Sequence, residues 1–63
     1  MKISIRAARI NKGLSQEKAA KELKISVSSL QKYESGKISP TLETCMKMVE
    51  LYQIPLDNLF FGK

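Results

Sequence analysis

Residues 15–36, SQEKAAKELKISVSSLQKYESG, decide the fold. They read as a helix, a short turn and a second helix. Ser15 caps the first helix and Glu17 lies in its first turn, where the helix dipole favours an acid. That helix runs to about Leu23, and a turn through KIS follows. Ser26 caps the second helix, which ends near Ser35 and Gly36. Ala20 is small where the two helices must approach closely. Ala19, Leu23, Ile25, Leu30 and Tyr33 supply apolar side chains at the spacing that closes a helix pair on a common core.

The second of these helices has two sides. At about 100° per residue with Val27 at zero, Gln31 falls near 40°, Ser28 near 100° and Lys32 near 140°. Leu30 and Tyr33 fall opposite, near 300° and 240°. Leu30 and Tyr33 therefore anchor to a core, helped by Ile25, while Val27, Ser28, Gln31 and Lys32 project as one arc. The arc would serve equally as a solvated face with one stray valine or as an element that enters a groove. It suits the groove chemically. Ser28 can bond several base edges, Gln31 can pair bidentately with adenine, Lys32 can donate to guanine or phosphate, and Val27 offers a methyl surface to thymine.

Working outward, the punctuation predicts five helices in all. One runs from about Ser4 to Lys12 and stops at Gly13. Ser39 and Pro40, or Thr41, open a fourth that continues to about Tyr52. Pro55 starts a short fifth that ends at Phe61. Strand signals are weak. On the fourth helix, Leu42, Cys45, Met46, Met48, Val49, Leu51 and Tyr52 spread over more than half the circumference, as expected of a central helix touched on several sides. Cys45, Met46 and Met48 read as packing residues.

The 63 residues suffice for a single all-α domain, 1–63, with a thin core. The single cysteine and the lack of histidine argue against a disulfide, a metal site or a cofactor. A free thiol fits a reducing compartment, and neither signal-peptide flanks nor an apolar run of membrane-spanning length occurs. The expected location is the cytoplasm, with nucleoid association when bound to DNA. Eleven basic residues face six acidic ones. Nine of those basic residues and only three acids lie within residues 1–37. A positive field confined to one part of the chain suits a polyanionic partner.

Taken together in order, these segments resemble the phage-repressor and Cro-type helix-turn-helix family, over about Ile5 to Phe60. RAARINKGLSQ is similar to that family's approach to the motif, with the helix-turn-helix itself at about 16–35. YESGKISP resembles its Glu-x-Gly-x-x-x-Pro pattern, and TLETCMKMVELYQIPLDNLF its helix, break and helix ending. The resemblance implies a compact five-helix, lambda-repressor-like domain. It would bind double-stranded DNA as a bacterial or phage transcriptional regulator, most simply a repressor, with no enzymatic activity. The base-reading residues would be Val27, Ser28, Gln31 and Lys32. Phosphate would be met by Gln16, Lys37, Ser39 and Thr41. Arg9 and Glu34 match a buried ion pair that holds the recognition helix in place.

A homodimer through the C-terminal helix is also implied, with Leu56 and Phe61 as its contacts, on two half-sites about one helical turn apart. Three positions depart from the family pattern: Lys24 stands at a usual turn glycine, Ala19 at a usual leucine, and Val27 at a usual long polar residue. Rival readings are an antitoxin-type module whose main partner is a protein, and an RNA binder. The few aromatics, mostly assigned to the core, leave no stacking platform for RNA. No general base partners the serines for catalysis.

Overall fold

Each α-helix begins at a hydroxyl side chain. Ser4, Ser15, Ser26 and Thr41 have extended backbones. Their oxygens accept the backbone N–H of Ala7, Lys18, Ser29 and Thr44 at 3.0–3.2 Å. Each cap satisfies an N–H that has no partner within its helix, worth about 1 kcal/mol. The computed structural model describes residues 2–60, the last as backbone only. In order they form β1 (Ile3–Ser4), α1 (Ile5–Asn11), α2 (Gln16–Leu23), α3 (Val27–Ser35) and α4 (Leu42–Tyr52), then a 3-10 turn (Leu56–Asn58) and β2 (Leu59–Phe60). The start of α4 thus falls on Thr41, not on Ser39 and Pro40.

The helix ends are left-handed. Gly13 (φ 78°) follows α1 and Gly36 (φ 79°) ends α3. Lys24 (φ 60°) and Gln53 (φ 57°) do the same for α2 and α4 with side chains in place of glycine. A non-glycine residue in that region costs about 1–2 kcal/mol. At Lys24 the turn keeps its shape through backbone bonds from Lys24 to the Lys21 carbonyl and from Ile25 to the Ala20 carbonyl.

The core is one cluster. Ile5 and Ala8 of α1, Ala19, Ala20 and Leu23 of α2, Leu30 of α3, Met48 and Tyr52 of α4, and Leu59 of β2 are all buried. Ala19 and Met48 belong to this same cluster, so the departure from leucine at position 19 leaves no exposed gap. Cys45 is buried as well, and burial pushes its thiol pKa up, as suits an inert packing residue.

Two expectations are corrected. The predicted fifth helix, Pro55 to Phe61, is a single 3-10 turn followed by an extended segment. A short helix is marginal without tertiary support, and here the backbone finds partners elsewhere. Leu59 pairs with Ile3 and Phe60 with Ser4 in a parallel ladder, while the Leu59 side chain sinks into the core. The described chain therefore has four α-helices and a minimal two-stranded sheet that joins its two ends. Phe61, one of the two expected dimer contacts, lies outside the described residues.

The second correction concerns α4. Thr44, Cys45, Met48 and Tyr52 face inward, but Leu42 is 72% exposed and Met46 51%. The broad apolar spread therefore splits into an inner face that packs and an outer one that does not. Met46 is not a packing residue.

Candidate nucleic-acid interface

Four side chains from α1, α2 and α3 form a continuous hydrogen-bonded chain from core to surface. Arg9 lies one helical turn beyond Ile5, on the buried face of α1. Its Nε donates to Glu34 Oε2 at 2.7 Å and its Nη2 to Glu34 Oε1 at 3.4 Å. Its Nη1 donates to the Leu14 carbonyl at 2.7 Å. The two side chains are only 9% and 4% exposed. Glu34 sits one turn after fully buried Leu30, which brings its carboxylate to the core side of α3. A charge pair this buried survives only when its remaining hydrogen-bond capacity is used.

Gln16 uses it. As the first residue of α2, it donates from Nε2 to Glu34 Oε1 at 3.1 Å. Its amide oxygen is thereby turned outward, where it accepts from Gln31 Nε2 at 3.4 Å. Gln31 is exposed. One of its two amide hydrogens is occupied by Gln16, so one N–H and the carbonyl oxygen remain, which is what a bidentate contact with adenine requires. The chain Arg9–Glu34–Gln16–Gln31 thus sets the direction of an exposed amide from a buried charge.

Around Gln31, Ser28 and Lys32 are also exposed. Val27 is not part of that surface in the way its angle suggested. It is half-buried and packs against the core beside Ile25 and Tyr33. Only some 60° separates it from Leu30 on the helix. The exposed arc is Ser28, Gln31 and Lys32, with a valine edge.

The segment after α3 presents the remaining candidates. Lys37 and Ser39 are exposed. The backbone N–H of Lys37 is held by the Lys32 carbonyl at 3.0 Å, which leaves the side-chain ammonium as its donor for any anion. Thr41 has its hydroxyl engaged: the oxygen accepts from the Thr44 N–H and the proton goes to Thr44 Oγ1 at 3.1 Å. Its hydroxyl proton is therefore already used within the chain. Leu56 is 40% exposed, in the 3-10 turn.

Two participants had no signal in the sequence. The Leu14 carbonyl is a backbone acceptor, turned toward Arg9 by the Gly13 turn, whose end is closed by Leu14 N–H to Arg9 O at 3.2 Å. The second is Tyr52, 3% exposed behind the ion pair. Burial, and then the nearby Glu34 carboxylate, push its pKa up to about 12 against an opposing pull from Arg9. Its hydroxyl has no hydrogen-bond partner among the described residues.

This geometry can hold a short polar helix edge at a fixed angle beside a basic loop. The sequence pattern of the family described as helix-turn-helix matches residues 5–59. The chain belongs to the phage-repressor type of that family. As a helix-turn-helix domain it is one of a class of DNA-binding transcription regulators and not an enzyme. It is 39% identical over 61 residues to the cryptic phage CTXphi transcriptional repressor RstR of Vibrio cholerae serotype O1, covering 94% of this chain and 54% of that protein. A second RstR of Vibrio cholerae is 34% identical over 55 residues, 87% of this chain and 50% of that one. The HTH-type transcriptional activator BcrR of Enterococcus faecalis is 33% identical over 55 residues, 87% of this chain and 27% of that protein.

The chain therefore spans about half the length of the RstR proteins and about a quarter of BcrR. No solved structure is matched. Among the described residues no helix is long and apolar enough to cross a membrane.

Proposed function

We propose that this domain binds double-stranded DNA sequence-specifically, with α3 in the major groove, and acts as a small transcriptional repressor. Two copies bind half-sites of one operator, in the cytoplasm and on the nucleoid. Ser28, Gln31 and Lys32 read base edges, and Val27 adds an apolar edge. Lys37, Ser39, the Thr41 N–H and Gln16 meet the sugar-phosphate backbone. Phosphate contacts fix register while base contacts specify sequence.

The observation that carries the reading is the Gln31 amide, exposed on α3 and oriented through Gln16 by the buried Arg9–Glu34 pair. A merely solvated glutamine has no need of such support. The repressor assignment follows the name of the RstR relatives, and the activator name of BcrR marks the other outcome a bound domain can have.

Selection from a pool of random duplexes, followed by footprinting, tests the reading. Gln31→Ala is expected to relax preference at one base pair by about 1–3 kcal/mol. Lys37→Ala should weaken all duplexes alike and reduce the salt slope by about 0.9. Equal losses on every sequence from Gln31→Ala would remove it as a reader, and no enriched sequence at all would remove the function.

A further inference from the structure

Ile38 is an apolar side chain set in a polar segment. It is 44% exposed and stands between exposed Lys37 and Ser39. Of the exposed large apolar side chains among the described residues, it alone lies between two residues assigned above to the sugar-phosphate backbone. A single exposed isoleucine is ordinary on a protein surface. This one is held in place by α3. The Lys32 carbonyl accepts the N–H of Lys37 at 3.0 Å and that of Ile38 at 3.4 Å, and left-handed Gly36 (φ 79°) turns the chain so that both reach it. The segment therefore keeps a fixed position relative to the turn of α3 that carries Lys32.

We propose that Ile38 packs on a deoxyribose of the bound strand, between the phosphates met by Lys37 and Ser39. It would add an apolar, sequence-independent contact to the DNA backbone, an inference that rests on the DNA-binding reading above.

The chemistry of the strand selects the sugar. A DNA backbone alternates charged phosphates with sugars, whose carbon–hydrogen edges are its apolar part. An isoleucine laid on a phosphate takes water from an anion and returns no hydrogen bond, which is costly. Laid on a sugar it removes apolar surface from water on both partners, which is favourable. Its neighbours deal with the phosphates, through an ammonium at Lys37 and a hydroxyl at Ser39. The order Lys-Ile-Ser thus matches the order phosphate, sugar, phosphate. A base edge suits it less, because the segment leaves α3 at its C-terminal end, beyond Ser35.

Such a contact has a signature that the charged ones lack. It displaces no counterion, so it adds affinity without adding to the salt dependence. Covering the exposed part of one isoleucine corresponds to about fivefold in affinity for each bound copy (about 1 kcal/mol).

The test uses a selected duplex and an unrelated one of the same length, titrated at several salt concentrations. Hydroxyl-radical cleavage reports which deoxyriboses the protein covers. Ile38→Ala keeps the net charge and changes an exposed side chain; a thermal melt checks that the fold is retained. This variant is expected to weaken both duplexes about fivefold and to keep the wild-type slope of log K against log salt. It should also expose to cleavage a sugar that the wild-type chain protects. Ile38→Val, which keeps most of the apolar surface, should restore most of the affinity and the protection.

Unchanged affinity in Ile38→Ala would overturn the inference. So would a changed salt slope, a loss confined to the selected duplex, or a protection pattern identical to that of the wild-type chain. A wild-type chain that binds neither duplex would remove the DNA reading itself, and the sugars it protects keep the two failures apart.

Discussion

Two regions of this small domain invert the usual distribution of polar and apolar groups. Behind α3, an arginine, a glutamate and a glutamine amide are drawn inward, joined by bonds of 2.7–3.4 Å. On the outer face of α4, a leucine and a methionine are left outside. Buried polar groups persist when every one finds a partner, and exposed apolar rows persist when something else covers them. In the first region Arg9, Glu34 and Gln16 find their partners within one molecule, and the Tyr52 hydroxyl beside them has none among the described residues. The second leaves its apolar side chains uncovered among the described residues, and the contrast can be tested.

The largest expected effect breaks the first region. Glu34→Ala leaves the Arg9 guanidinium buried beside the Leu14 carbonyl with no counter-charge and takes away the acceptor that orients Gln16. Stranding a buried charge costs about 3–5 kcal/mol, and a domain of this size holds little more than that in total. Urea denaturation should find the variant unfolded or nearly so. A variant that melts within a degree or two of the wild-type chain would show that the pair contributes no net stability.

A smaller effect comes from Tyr52, which lies against the same pair. Its folded pKa of about 12 is above the ordinary value of about 10. Below about pH 10 both the folded and unfolded chains keep the phenolic proton, and the stability is fully present. Between about 10 and 12 the unfolded chain releases the proton first, so stability falls as pH rises, by up to about 2–3 kcal/mol. Denaturation midpoints for wild-type and Tyr52→Phe chains should diverge across that window. Lysine titration acts on both and cancels in the difference. Parallel curves would mean that the hydroxyl is hydrated in the folded state.

How much of this was legible in the sequence follows the same division. The four caps and the two glycine ends depend only on local chemistry, and they were readable at Ser15, Ser26, Gly13 and Gly36. Arg9 and Glu34 could be matched through the family pattern, because that pattern records pairs distant in sequence. The segment 55–60 was not readable. Whether a short apolar run coils or extends depends on Ile3 and Ser4, at the other end of the chain. The left-handed turn at Gln53 carries no glycine or asparagine to announce it. Val27 is half-buried, which helix angles do not disclose because they locate a residue only on its own axis. Leu42 and Met46 were misread for a related reason: periodicity counts apolar residues without knowing whether the surface that covers them lies in the same molecule.

The smallest expected effect sharpens the contrast most. Removing the apolar side chains from the outer face of α4 should leave the isolated domain's stability where it was. Leu42→Gln with Met46→Gln is expected to stay within about 0.5 kcal/mol of the wild-type chain, as exposed substitutions do. Met48→Ala, two residues further along the same helix but fully buried, should cost about 2–5 kcal/mol. Equal chemistry on opposite faces would then differ several-fold. Measuring the melting temperature at two protein concentrations completes the argument, because a dimer in solution makes it concentration-dependent and a monomer does not. A double variant that loses 2 kcal/mol, together with a concentration-dependent wild-type melt, would mean that the face is already covered in solution. The two regions would then differ only in whether their partner belongs to the same chain.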